Sequence, residues 1–240
     1  MNSVDRQRLR NWFVVGGVGV AITTGVIVYP FLLEGAISRF GTAGVALALL
    51  ILAAVSFALP GRRLLGALRS GAAPSVGIPI ALVAAAATEQ SVYLQLVPCF
   101  VYLTMAYLCW VSLRADDSII ERAARYLIPE APVFIRSYCR KVTWLWAAFF
   151  FVSAVAIAGL AASGEISWWR RFTGQLVYGS MLVFSVSEFI VRKTWFRYYF
   201  YRGPIDRLWA KCFPAENTAA GRRSMQYIAE IKRASQSDAG

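Results

Sequence analysis

The sequence has no histidine, and its four cysteines form no CxxC pair. Zinc and haem sites usually draw on histidine or clustered cysteine, so we predict no metal and no cofactor. General acid–base catalysis also relies most often on histidine, which makes an enzyme the less expected class. The cysteines, too scattered to indicate a disulfide framework, are Cys99, Cys109, Cys139 and Cys212.

Charged residues are scarce as well. They make up 16% of the chain, against about 25% in a typical soluble domain. Hydrophobic residues reach 58% and are concentrated in runs, and about 20 apolar residues in a helix span a bilayer. The sequence therefore predicts an all-α, polytopic membrane helix bundle of about six transmembrane helices. The predicted spans are 12–33, 42–59, 76–88 (short enough to be re-entrant instead), 92–113, 142–162 and 172–191.

The positive charges predict the orientation of these helices, because cytoplasmic loops carry an excess of Lys and Arg. Of the 25 Lys and Arg residues, only Arg39, Arg170 and Arg171 fall opposite the N-terminus. We therefore expect both termini in the cytoplasm and the protein in a bacterial inner membrane. The predicted regions are a basic N-terminus at 1–11, the bundle at 12–191 with an amphipathic inner loop at 114–141, and a basic tail with two short amphipathic helices at 192–240.

The net charge of +12 bears on the expected partners. Basic residues flank the apolar runs, so anionic lipids of the inner leaflet are expected to bind, and nucleic acid is not. Small residues four apart, such as Ala81 and Ala85, favour close helix packing in a compact bundle or a homo-oligomer. Tryptophans near span ends, which fit interfacial aromatic belts, include Trp110, Trp144, Trp168 and Trp169.

The inner loop contains a capping-box spacing, with Ser118 three residues before Glu121, which predicts the start of a helix. Apolar residues from Ile119 onward share one face, and Glu121 shares the opposite face with Arg122 and Arg125. Such a helix would lie on the inner leaflet; the alternative is a docking surface for a cytosolic pathway enzyme. The residues assigned to this surface are Asp117, Ser118, Glu121, Arg122, Arg125, Arg136 and Arg140.

Glu188 is a carboxylate inside an apolar run. A charge in a membrane span is expensive, so Glu188 is a candidate functional residue. Arg192 lies four residues on, so an ion pair near the inner interface is the simpler interpretation. The alternative is a polar site that Glu188 shares with Gln175, Tyr178 or Ser185 on the same span.

Five segments between residues 94 and 197 occur in an order typical of one protein family. They are LQLVP at 94–98, SIIERAAR at 118–125, RSYCRKVT at 136–143, WAAFF at 146–150 and EFIVRK at 188–193. This stretch resembles a family of bacterial inner-membrane proteins associated with aryl-polyene (xanthomonadin-type) pigment biosynthesis. Lysine is expected where Gln95 stands, and asparagine where Tyr102 stands. The resemblance implies a membrane component of a polyketide-like or fatty-acid-like pathway, without a defined reaction.

Together these features lead us to expect an accessory membrane protein that scaffolds enzymes or handles an acyl lipid at the cytoplasmic face. Two alternatives stay open. A membrane acyltransferase or glycosyltransferase would need Asp117, Glu121 or Glu188 as its base. A small lipid transporter or flippase would use helices broken at proline.

The predicted orientation is tested by fusing a reporter that is active only in the periplasm after Gly240. We expect no activity, because the tail carries the charge of a cytoplasmic segment. The same reporter in the predicted outer loop that contains Arg170 should be active. Strong activity of the Gly240 fusion would overturn the orientation.

Overall fold

Helices account for nearly all of the chain that the structure describes. The computed structural model describes residues 28–54, 74–127, 133–195 and 204–237, and no strand occurs among them. Short 3₁₀ turns lie at Pro74–Val76, Val133–Ile135 and Ala215–Asn217, and a π-helix lies at Phe172–Leu176. The α-helices are α1 (Val28–Ala54), α2 (Gly77–Thr88), α3 (Val92–Gln95), α4 (Val97–Arg114), α5 (Ile119–Leu127), α6 (Arg136–Ser163), α7 (Ile166–Arg171), α8 (Val177–Trp195), α9 (Pro204–Cys212) and α10 (Ala219–Ser237).

Four helical stretches are long and apolar enough to cross a membrane. The shortest has 23 residues, or about 35 Å at 1.5 Å per residue, against a hydrocarbon core of about 30 Å. The protein is therefore all-α and has helices that fit a bilayer. The four stretches are Val28–Ala54, Val92–Arg114, Arg136–Ser163 and Ile166–Thr194.

The first two predicted spans differ from the structure. Most of the predicted span 12–33 lies outside the described residues, and its last residues belong to α1. The outer loop predicted to follow is helical, because α1 continues to Ala54. Gly41, at the predicted junction of the two spans, has φ of +70°. This left-handed conformation departs locally from regular α-helical geometry within α1, and glycine adopts it without strain.

The third predicted span corresponds to α2, which has 12 residues. A helix of that length is about 18 Å long, too short to cross the hydrocarbon core alone. Ala81 and Ala85 of the predicted packing stripe are both buried. The count of six spans therefore stays a prediction, since four helices of crossing length lie in the part of the chain that the structure describes.

The chain divides into two units. Unit 1 comprises Met1–Leu108 and Ala147–Gly179, and unit 2 comprises Cys109–Trp146 and Ser180–Gly240. Each of α4, α6 and α8 contributes residues to both units. The inner-loop residues and Glu188 singled out in the sequence all belong to unit 2.

Unit 1 contains a proline break between α3 and α4. Pro98 has no N–H, so the carbonyl of Leu94 lacks its usual helical partner. The hydroxyl of Tyr29 donates to this carbonyl at 2.9 Å, and the indole Nε1 of Trp169 donates to the neighbouring carbonyl of Gln95 at 3.2 Å. Leu94 and Gln95 are both buried, so a donor for their carbonyls has to come from the protein. Side chains from α1 and α7 therefore close the break.

Trp169 does not have the position that its sequence predicts. Its side chain is 0% exposed, whereas that of the adjacent Trp168 is 55% exposed. Trp168 thus has the exposure of a residue in an interfacial belt, and Trp169 is instead an internal hydrogen-bond donor. An indole is suited to this role because it buries a large apolar ring and still offers one N–H.

Two further contacts hold α1 in unit 1. The ring of Phe31 packs against Gly174 in the π-helix, where an added Cβ would lie 2.6 Å from the ring, so a larger residue would displace the ring. Glu34 forms an ion pair with Arg170 of α7. Tyr29, Phe31 and Glu34 thus connect the first two turns of α1 to the rest of unit 1.

Unit 2 has a small apolar core that the C-terminal helix completes. Ile135 and Cys139 are buried, and α10 packs Ala220 and Tyr227 against them. The rings of Tyr227 and Phe134 meet edge to face, with centroids 6.1 Å apart. The prediction of two short tail helices is confirmed by α9 and α10, and the second of them is part of the fold.

We expect Tyr29→Phe to lower the stability of the detergent-solubilised protein by about 1–2 kcal/mol, because it leaves the carbonyl of Leu94 without a donor. Unfolding by denaturing detergent measures the change. Tyr93→Phe is the matched control, since the structure shows no hydrogen bond from the Tyr93 hydroxyl to any described residue. Equal stabilities of the two variants would contradict the role given to Tyr29.

Candidate functional site

The connection between α4 and α5 is held by hydrogen bonds to its backbone. Arg140 donates to the carbonyls of Leu113 and Ala115, the latter at 3.3 Å, and Arg136 donates to the carbonyl of Asp116. The last carbonyls of a helix have no partner within it, and a guanidinium is well suited to bind them. Arg136 and Arg140, predicted to face lipid or a docking partner, therefore bind the protein's own backbone.

Two serine hydroxyl groups accept hydrogen bonds from N–H groups at the start of α5. The Oγ of Ser112 accepts the N–H of Ile119 at 3.2 Å, and the Oγ of Ser118 accepts the N–H of Glu121 at 3.3 Å. Both serines are buried. The predicted capping residue and helix start at Ser118 are thus confirmed.

Glu121 differs most from its predicted position. The sequence places it on an outer face with Arg122 and Arg125, but its side chain is 1% exposed. Arg125 Nη2 lies 2.9 Å from Oε1, and Arg136 Nε lies 3.7 Å from Oε2. Two guanidinium groups therefore compensate the buried carboxylate. The hydrogen bond from Arg125 to this carboxylate raises the pKa of Arg125 above its ordinary value.

The remaining predicted surface residues have different exposures. Arg122 is exposed, and Asp117 is half-buried. Ile119, expected on the apolar face, is 38% exposed. Ser118 and Glu121 are buried and cannot meet a docking partner. Arg122 remains exposed, and Arg125 and Arg136 keep 39% and 42% of their side-chain surface beside their internal contacts.

A cavity of about 210 Å³ lies between α5, the first half of α6 and the end of α8; we call it the Glu188 pocket. Ile120, Ala124 and Val142 contribute to its apolar wall, and Glu188 and Arg192 contribute its charged groups. The predicted pair is present, with Arg192 Nε 3.3 Å from Glu188 Oε1. Glu188 therefore takes part in an ion pair and also lines a cavity.

Tyr138 is the residue of this pocket that sequence reasoning missed. Its hydroxyl donates to Glu188 Oε1 at 3.3 Å, although the two residues are 50 positions apart. Helical periodicity relates residues on one helix and cannot pair α6 with α8. The only sequence signal was that Tyr138 and Glu188 both fall in segments of the family resemblance.

The alternative partners of Glu188 on its own span do not join it. Tyr178 and Gln175 lie 10 and 13 residues before Glu188, which is about 15 and 20 Å along a helix. Gln175 is exposed, and Tyr178 interacts instead with Tyr102 in unit 1. Ser185 is exposed as well. The polar site at Glu188 is therefore formed with α6.

Metal ligation finds no support in the described ranges, where no group of three or more Cys, Asp or Glu side chains could hold an ion. Compared with protein-family models, curated proteins and solved structures, the chain shows no match. The resemblance of residues 94–197 to the aryl-polyene-associated family stays a prediction. Function must therefore be argued from the chemistry of the site itself.

We expect Arg140→Lys to destabilise unit 2 by about 1–2 kcal/mol, because one ammonium group cannot reproduce the two separate donors of the guanidinium. Thermal unfolding of the detergent-solubilised protein measures the loss. Arg122→Lys is the control, since Arg122 is exposed and the same charge is kept. If both variants unfold at the wild-type temperature, Arg140 does not hold the connection.

Proposed function

We propose that this protein is an accessory protein of a bacterial inner membrane, with six spans and both termini in the cytoplasm. In this proposal it serves an aryl-polyene or related acyl-lipid pathway by holding part of an acyl lipid in the Glu188 pocket. The single observation that carries the proposal is an apolar cavity with a charged, hydrogen-bonded group at its wall. The proposed membrane side follows from the Lys and Arg distribution.

The size of the pocket favours part of a lipid over a whole one. Sites for drug-sized ligands measure about 300–1,000 Å³, whereas an apolar cavity of about 150 Å³ can hold benzene. The Glu188 pocket, at about 210 Å³, lies between these values. It therefore suits a segment of an acyl or polyene chain, or the polar end of such a chain, better than a complete phospholipid.

The polar groups of the pocket suit the oxygen-bearing end of such a chain. Arg192 has five N–H donors, and its Nε lies 3.3 Å from Glu188 Oε1. Its other donors can meet a carboxylate or carbonyl oxygen. Glu188 can accept a hydrogen bond from a ligand hydroxyl in place of the hydrogen bond that Tyr138 donates. The arrangement therefore supports binding and orientation of an acyl group.

The chemistry of the pocket residues also fits a binding role. Cys139 lines the pocket but is 4% exposed, and a chain without histidine offers no imidazole to activate this thiol. Glu188 Oε1 already contacts both Tyr138 and Arg192. These features favour a binding group over a nucleophile or base.

The proposal is tested by deleting the gene, restoring it as wild type or as Glu188→Gln, and analysing envelope lipids and pigment by mass spectrometry. We expect about a tenfold loss of product with Glu188→Gln at equal protein levels, because a hydrogen bond to a charged group contributes about 1.5–3 kcal/mol. Glu165→Gln is the control, since Glu165 is exposed.

The other outcomes contradict the proposal in distinct ways. A wild-type lipid profile with Glu188→Gln would show that the Glu188–Arg192 ion pair has only a structural role. Loss of product with accumulation of one acyl precursor in the deletion strain would indicate a transferase. A finished product trapped in the inner leaflet would indicate transport.

A further inference from the structure

A second concave surface of unit 2 lies between the end of α4 and the beginning of α6. We call it the Trp110–Trp144 groove. It has a volume of about 480 Å³ and shares no lining residue with the Glu188 pocket. We propose that this groove binds an anionic phospholipid of the surrounding bilayer. The residues that line it are Trp110, Leu113, Arg114, Arg140, Lys141 and Trp144.

The charge of the groove selects an anion. Three of its six lining residues are cationic, and none is acidic. Arg140 already donates to the carbonyls of Leu113 and Ala115, so it offsets the negative end of the α4 dipole. This leaves Arg114 and Lys141 as the cations that meet a ligand. Two cations without a carboxylate favour a lipid with net negative charge over a zwitterionic one, because the two cations would repel its ammonium and no carboxylate of the lining would offset that repulsion.

The aromatic side chains place the ligand in the membrane. Trp110 is 47% exposed and Trp144 is 55% exposed, and exposed tryptophans at the ends of spanning helices lie at headgroup depth. The guanidinium of Arg114 lies 5.5 Å from the centre of the Trp110 ring. A phospholipid can therefore place its phosphate at Arg114 and Lys141 while its glycerol and upper acyl chains contact the indole rings.

A soluble phosphate would use only half of these features. Inorganic or sugar phosphate would meet the two cations but would gain nothing from two exposed indole rings. Its charge would also be screened by salt at such an exposed site. The combination of cations and apolar rings at one depth matches the two-part chemistry of a membrane lipid. Basic pockets between membrane helices bind anionic lipid headgroups in the same way.

Lipid retention by the detergent-solubilised full-length protein tests the proposal, with native mass spectrometry as the readout. Cardiolipin and phosphatidylglycerol are the anionic probes, and phosphatidylcholine is the comparison. We expect Arg114→Gln/Lys141→Gln to weaken anionic-lipid binding about 25-fold, because each cation near a membrane surface contributes about fivefold. The control, Lys211→Gln/Arg223→Gln, removes the same charge from exposed positions outside the groove and should bind as the wild type does.

Three outcomes would overturn the proposal. Equal losses in the groove variant and its control would show that lipid follows net charge alone. Wild-type retention in the groove variant would show that the groove is not the site. Displacement of the lipid by millimolar glycerol phosphate, with Trp144→Leu unaffected in lipid binding, would assign the groove to a soluble phosphate.

Discussion

A backbone carbonyl buried inside a protein must find its hydrogen-bond donor within the protein, because water does not reach it. Pro98 removes one such donor from the helical ladder at Leu94, which is fully buried. Tyr29 donates to the carbonyl left without its helical partner, and Trp169 donates to the one beside it. A single proline thus requires donors from α1 and α7, and the packing of unit 1 around α3 and α4 follows from meeting that requirement.

Carbonyls without a partner also explain why the arginines of unit 2 are not equivalent. The last carbonyls of α4 and those just after it lack helical partners, and Arg136 and Arg140, one turn apart on α6, donate to them. Glu121 is buried against Arg136 and Arg125, which connects α5 to the same turn of α6. The cations of unit 2 therefore form two populations. One holds the α4–α5 connection together, and the other, which includes Lys141, stays exposed.

The sequence predicted features that depend on neighbours along the chain. The cap at Ser118 and the two tail helices are of this kind, since capping and helical periodicity act within about one turn. The buried positions of Glu121 and Trp169, and the meeting of Tyr138 with Glu188, depend on which helices pack together. Composition predicted a membrane protein. The residues of one helix, however, do not indicate which polar group a neighbouring helix will place against it.

The docking of α10 has a consequence for how the molecule is made. Chains are synthesised from the N-terminus, so Ile135 and Cys139 leave the ribosome long before Ala220 and Tyr227, which pack against them. The core of unit 2 therefore stays open during translation until α10 has been added. The four helical stretches of crossing length are all made before α10, so they can insert while this apolar surface is still uncovered. A copy that lacks α10 thus exposes apolar surface of the kind that promotes aggregation and chaperone binding.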